Sequence, residues 1–321
     1  MGTRSLSVWK RLRRRSAYVP PMALHVTYEG VRCLWWERRG SKWHVRHQAV
    51  AALPTGTFEV RPAQLEIQNP EALAEALGRV LPETEYPRRV GLVVPDASTM
   101  FFVFRIEGWP RRFQEQQQLI RWQLRRQTTL ALDTYRVLWQ VLDKRARVAT
   151  VAALAAWAPF LDRLEDLLNQ QGVVPGLVVP ENIAIDNLIW HYVGPRPDWA
   201  DRRWMVIHWD GERLTTTYFQ GRRLVWKRTH TLTPEADAGP TDGPAALGRE
   251  LRRIGAYIQD FHRDDAPETV FLSGPHTESL VDRLRAAFPF DLEVLDVGAA
   301  DDALPALKPP WVWQPLLGVL V

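Results

Sequence analysis

The chain has 321 residues, 46% of them hydrophobic, with a formal net charge of +4 and a single cysteine. That length supports one large or two medium cores, the lone Cys33 excludes an intramolecular disulfide, and no apolar run approaches the roughly 20 residues that cross a bilayer. The charge is uneven: before Glu29 there is no acid, but there are six bases, Arg4, Lys10, Arg11, Arg13, Arg14 and Arg15. The first predicted element is therefore a basic leader over residues 1–21. It lacks the apolar core of a signal peptide. Trp9, Lys10, Arg11, Arg13, Arg14 and Arg15 are the residues expected to face an anionic membrane. Without the leader, bases and acids nearly balance, so no nucleic-acid partner is expected. One cysteine within a strand-like run fits a buried thiol in a reducing, cytoplasmic setting.

From Ala23 the pattern predicts a three-strand meander: Ala23–Tyr28, Val31–Glu37 and Trp43–Val50, with X-Gly turns at Glu29-Gly30 and Arg39-Gly40. Asn69 caps a helix with Pro70 at its first position, running to about Val80. Val90–Pro95 and Met100–Ile106 are apolar runs joined by Asp96-Ala97-Ser98, which reads as a β-hairpin. Gly108-Trp109-Pro110 breaks the strand. Phe113–Arg126 has the period of an amphipathic helix with a long polar face, and a further strand begins near Thr134. Arg147–Ala155 reads as a buried strand, and Pro159 opens a helix that ends at Gly172. A strand over Val173–Val179 and a helix over Pro180–Tyr192 follow. Gly194-Pro195-Arg196-Pro197 is the expected domain boundary.

A second meander starts at Trp204: Trp204–Trp209, Arg213–Phe219 and Arg223–His230, with turns at Asp210-Gly211 and Gln220-Gly221. Its turns are spaced as in the first, which suggests two α/β domains of related plan. Thr233–Pro244 reads as a loop, followed by a helix carrying Leu247, Leu251, Ile254, Ile258 and Phe261. Then come a strand over Thr269–Ser273, a helix with Leu280, Leu284 and Phe288, a strand over Leu292–Val297, and a terminal helix over Trp313–Val321.

Pro95-Asp96, Trp109-Pro110-Arg111 and Leu119-Ile120-Arg121-Trp122-Gln123-Leu124 resemble the Pro-Asp turn, the Leu-Pro-Arg-like corner and the "ILIRWEL"-like helix of the type IV pilus assembly PilM family. That family belongs to the actin-like ATPase superfamily. The resemblance implies an α/β, actin-like (ribonuclease-H-like) two-domain fold with an inserted small α+β subdomain. Its expected bounds are 22–88 and 147–194 for the first domain, 89–146 for the insertion and 195–321 for the second domain. It also implies a scaffold, peripheral to the inner membrane on the cytoplasmic side, that binds the N-terminal cytoplasmic peptide of a bitopic, PilN-like partner. Trp109, Leu119, Arg121, Trp122 and Arg125 are the residues expected to meet that peptide, with Trp109 the best candidate for an exposed contact.

Actin-like ATPases hold nucleotide with two Asp-Gly hairpin loops and a later Gly-Gly-Gly turn. Aligned on that pattern, all three loops here are altered. His25 stands for the first Asp, Thr27 for its Gly, and Arg32 for a Lys. In the second loop His208 stands for Asp and Asp210 for Gly, in the register that keeps Glu212. The third motif survives only as Leu272-Ser273-Gly274-Pro275-His276, and Pro275 removes an N–H. Histidine cannot replace a carboxylate beside Mg²⁺, which prefers hard oxygen ligands. The expectation is a degenerate ATPase with no cofactor and no metal. The alternative is an active actin-like ATPase of the pilus or type II secretion machinery, with Asp210-Gly211 shifted into a ligand role. His25, His44, His47 and His208 lie in strand-like segments and read as packed strand histidines. There is no G-x-x-x-x-G-K-[ST], H-E-x-x-H or G-x-S-x-G sequence.

Overall fold

A computed structural model describes residues 20–39, 42–193, 197–210, 213–231, 248–256, 266–274, 291–294 and 310–320. Residues 1–19 of the leader, the Thr233–Pro244 loop, Leu247, Ile258 and Phe261 of the helix after it, the segment bearing Leu280, Leu284 and Phe288, and residues Gly194–Arg196, Gly211, Glu212, Pro275 and His276 lie outside them. The described chain divides into two compact units, 1–184 with 315–321, and 185–314.

In the first unit β1 (Met22–Val26), β2 (Gly30–Arg39) and β3 (Lys42–Ala52) form the expected antiparallel meander. β6 (Arg89–Val94) and β10 (Val174–Pro180) extend it in parallel, giving the order β10-β6-β1-β2-β3. Met22, Leu24 and Val26 alternate onto one face. There they share a core with Leu73, Leu77 and Val80 of α1 (Pro70–Val80) and Leu161, Leu164 and Leu168 of α3 (Ala158–Gln170). Asn69 caps α1 by accepting from Ala72 N at 3.0 Å. The sequence pattern does not reveal one hairpin, β4 (Phe58–Arg61) with β5 (Gln64–Ile67). Both strands are four residues long, too short for periodicity to register, and Ala63 turns between them at φ 59°.

The expected hairpin of Val90–Pro95 with Met100–Ile106 does not form. β6 pairs with β1 and β10, whereas β7 (Thr99–Glu107) belongs to a separate antiparallel sheet of order β7-β9-β8, with β8 at Tyr135–Arg145 and β9 at Val148–Trp157. The physical reason is legible in β6: Val90, Leu92, Val93 and Val94 are all buried, the signature of a strand covered on both faces. The inserted sheet therefore runs from Thr99 to Trp157, where the sequence suggests 89–146. α2 (Phe113–Gln127) covers one face of it. Ile120 and Leu124 meet Phe104, Ile106, Val151 and Ala153 there.

Trp109 is another correction, because it is buried in this small core. Gly108, at φ 69°, turns the chain, and the N–H groups of Gly108 and Trp109 both donate to Arg147 O at 2.7 and 3.4 Å. That fold-back carries the indole inward.

α4 (Glu181–Val193) contains the division between the units, which falls at 184/185 and not in the Gly-Pro-Arg-Pro stretch. The second unit has the sheet order β13-β12-β11-β14-β15. Its strands are β11 (Arg203–Trp209), β12 (Arg213–Gln220), β13 (Arg223–Thr231), β14 (Thr269–Ser273) and β15 (Asp291–Val294). A meander followed by two parallel strands repeats the plan of the first sheet. Met205, Ile207, Val270 and Leu272 form one core face with Leu251 from the helical residues 248–256. On the other face Trp204 stacks on Phe219, with centroids 4.0 Å apart, beside Trp190 of α4. The last helix, α5 (Pro310–Leu320), ends in the first unit. Val319 lies over Gly91, where an added Cβ would overlap it, and Gly318 presses on the Ala184 carbonyl.

Candidate functional site

The first loop is a tight turn from Thr27 to Gly30. Thr27 N donates to Gly30 O at 2.8 Å, Thr27 Oγ1 donates to the same oxygen at 3.0 Å, and Gly30 N lies 3.0 Å from Thr27 Oγ1. The threonine hydroxyl thus occupies the inside of the turn and engages a backbone N–H of the kind that a phosphate-binding loop turns outward. Gly30 is required for a different reason: a Cβ there would sit 2.6 Å from Ala51 O on β3.

His25 is fully buried, and its Nε2 lies 3.3 Å from Glu181 Oε2 at the start of α4. Arg32 is its cross-strand partner. Burial pulls the Arg32 guanidinium below its usual pKa, while Glu181 and Glu29 act to raise it. Where the resemblance calls for a carboxylate aimed at a metal, the first unit holds a histidine and an arginine that share a carboxylate. Asp96 completes this end of α4: it is buried, and its Oδ1 accepts from Asn182 N at 3.0 Å. A carboxylate of the protein thus already serves the helix N-terminus.

In the second unit His208 occupies the matching place, one residue before the end of its strand, and is buried. Its Nδ1 lies 3.3 Å from Ser273 Oγ, which donates to Gln314 Oε1 at 2.6 Å. Asp210 Oδ1 accepts from Arg213 N at 2.6 Å and Asp210 N donates to Arg213 O at 3.1 Å, so this side chain closes its own hairpin. Gly274, at φ 131°, approaches the Trp209 carbonyl so closely that a Cβ would overlap it. The third motif keeps this one glycine because the backbone contact demands it.

Sequence reasoning misses a buried ion pair on the same face of this sheet. Lys227 Nζ lies 2.7 Å from Asp186 Oδ2 of α4, with both side chains almost wholly enclosed, and Thr217 Oγ1 donates to that oxygen at 3.3 Å. Burial raises the Asp186 pKa. Lys227 opposes the shift most, followed by Thr217 and His208. The one signal in the sequence is an Asp within an apolar helix pattern. Among the described residues, no three His, Cys, Asp or Glu side chains come together as a metal site.

The residues expected to meet a peptide are only partly together. Leu119 is half-buried against the inserted core. Arg121 donates to Leu132 O at 3.3 Å and lies 3.6 Å from Asp133, which Arg125 also approaches at 3.5 Å. Both arginines therefore fasten the segment between α2 and β8. Trp122 points outward and is half exposed, with the Arg126 guanidinium 5.0 Å from its ring centroid.

No family model and no curated protein matches the chain. Among solved structures, a chain of the "PilM-PilN type IV pilus biogenesis complex" is similar over 94% of this chain and 96% of its own, at 16% identity and a TM-score of 0.75. A Bacteroides thetaiotaomicron protein "with actin-like ATPase fold and unknown function" is similar over 96% and 97%, at 10% identity and a TM-score of 0.53. The chain has the actin-like ATPase fold with a small inserted subdomain.

Proposed function

We propose that this chain is a non-catalytic scaffold of a type IV pilus assembly platform, positioned at the cytoplasmic side of the inner membrane. The observation that carries the reading is the likeness to a chain of the PilM–PilN complex along nearly the whole length of both. The partner is then a bitopic, PilN-like protein, bound through its N-terminal cytoplasmic peptide. β7 lies at an edge of the inserted sheet and can take such a peptide as an added strand. With Trp109 in the core and Arg121 holding Leu132 O and Asp133, the peptide contact moves from α2 to this edge.

The absence of nucleotide chemistry belongs to the same reading. His25 and Arg32 gather around Glu181, Thr27 fills the first turn, and Asp210 closes the second. These arrangements occupy with internal partners the groups that would hold Mg²⁺ and phosphate. The alternative ATPase reading needs Asp210 as a ligand, while one of its oxygens already accepts from Arg213 N.

The test uses a fluorescent peptide with the N-terminal sequence of a bitopic membrane protein encoded beside this chain. Anisotropy should show one-to-one micromolar binding that Mg-ATP leaves unchanged, and calorimetry with Mg-ATP should show no binding heat. Micromolar, one-to-one ATP binding with turnover would overturn the non-catalytic reading. Failure of the peptide to bind would overturn the scaffold reading.

A further inference from the structure

The inserted unit is strongly basic. From Thr99 to Trp157 it carries ten Lys and Arg residues against four Asp and Glu, while the whole chain carries 41 against 37. Outside this unit and the leader the chain is net acidic. The near-balance of the body is therefore the sum of two opposed regions, and a count over the whole chain hides both.

α2 gives this charge a direction. Ile120 and Leu124 face the sheet, so the side of the helix half a turn away carries Gln118, Trp122, Arg125 and Arg126, with Glu115 at its far end. All five are exposed. Glu115 lies 3.8 Å from Arg112, and Asp133 lies 3.5 Å from Arg125 and 3.6 Å from Arg121, so Arg112, Arg121, Arg125 and Arg126 outnumber the two acids around the stripe. Trp122 is the large aromatic residue at its centre, paired with Arg126 at 5.0 Å. An indole with flanking guanidinium groups is the chemistry of a headgroup interface, where the ring rests at the boundary and the cations meet phosphate.

We propose that this outward stripe of α2, centred on Trp122, Arg125 and Arg126, is a docking face for an anionic phospholipid surface. Charge complementarity selects an anionic occupant, and the aromatic residue among the bases favours a lipid headgroup surface. Along the stripe an exposed indole is flanked by exposed guanidinium groups, the pairing that suits the boundary between lipid headgroups and water. The inference rests on this surface and not on the peptide partner.

Cys33 makes a clean local test possible. Its thiol is buried and its pKa is pushed up to about 12, so a cysteine placed on the surface is the one that a thiol dye labels. The full-length Gln118→Cys protein carries an environment-sensitive dye on α2, and Glu75→Cys on exposed α1 serves as the reference. Vesicles of phosphatidylcholine with phosphatidylglycerol should shift the dye emission to the blue at position 118 and not at 75. Trp122→Ala with Arg125→Gln and Arg126→Gln should weaken that partition on the order of tenfold or more, given the attraction of each base to such a surface. Raising the salt should weaken it further. The melting curve of this triple variant should stay near wild type, because all three side chains are exposed and the Arg125–Asp133 contact it removes is a surface pair. A leader-driven attachment would leave position 118 unshifted, or the triple variant unchanged, and either result overturns the proposal. A shift produced by a soluble polyglutamate peptide and not by vesicles would also overturn it, in favour of an acidic protein partner.

Discussion

At the scale of single residues, charges enclosed by the fold carry the sharpest predictions. Replacing Lys227 by Met leaves the Asp186 carboxylate buried without its ion partner, a loss of about 3–5 kcal/mol. The Asp186 pKa is raised above its unfolded value, so its contribution is fully present below the unfolded pKa and is lost as pH rises through the folded one. Urea melts of Lys227→Met should therefore show stability recovering as pH falls toward the ordinary carboxylate range. Exchanging both partners for apolar residues should cost less than the single change. Cys33 obeys the same sign. Its folded pKa is about 12, so the stability it contributes holds below about pH 8.5 and declines between there and 12, by about 1.4 kcal/mol per pH unit. Cys33→Ala should flatten that alkaline slope, and the native thiol should resist a disulfide reagent until the protein is unfolded. His25, Thr27 and His208 are legible in the sequence as departures from a loop pattern. Their partners are not: Glu181, Ser273 and Gln314 are brought to them by tertiary pairing, which no local spacing reports.

At the scale of elements, two helical glycines separate cases that look alike in sequence. Gly78 lies inside α1, where an added Cβ meets only the end of the Gln171 side chain, at 3.4 Å. Gly78→Ala should raise stability by about 0.5–1 kcal/mol, the usual gain in a helix interior, read from the urea midpoint. Gly318 lies inside α5, where an added Cβ would overlap the Ala184 carbonyl. Gly318→Ala should lower stability by about 1–3 kcal/mol, the range for overpacked sites, read the same way. The meanders and most helices are readable because their periodicity is strong and their turns carry glycine. The false hairpin arises because two apolar runs and a Pro-Asp turn are equally compatible with a strand that leaves one sheet for another. Only the burial of both faces of β6 distinguishes the two, and that depends on α1, α3 and α5.

At the scale of the whole chain, the two sheets share one plan, three antiparallel strands followed by two parallel ones. The repeated spacing of the X-Gly turns carries that plan in the sequence itself. The division inside α4 leaves no such mark, because helix propensity runs unbroken across it. The leader belongs to this scale too. Its six bases should add a weak, salt-sensitive attraction to anionic vesicles. Flotation of the chain with and without residues 1–16 measures that share, and equal flotation of both forms would remove the leader from the account.

The contact between His25 and Glu181 also governs which way the sequence can travel. An aspartate placed at position 25 would bring a second carboxylate against Glu181, where the present Nε2–Oε2 separation is 3.3 Å. The shorter aspartate stops farther from Glu181 than the imidazole does, but like charges in one enclosed site still disfavour each other's ionisation. His25→Asp should therefore be destabilised at neutral pH and regain stability on acidification, while adding Glu181→Gln should relieve it. An acidic first loop is therefore easier to reach by changing both positions together than by His25→Asp alone.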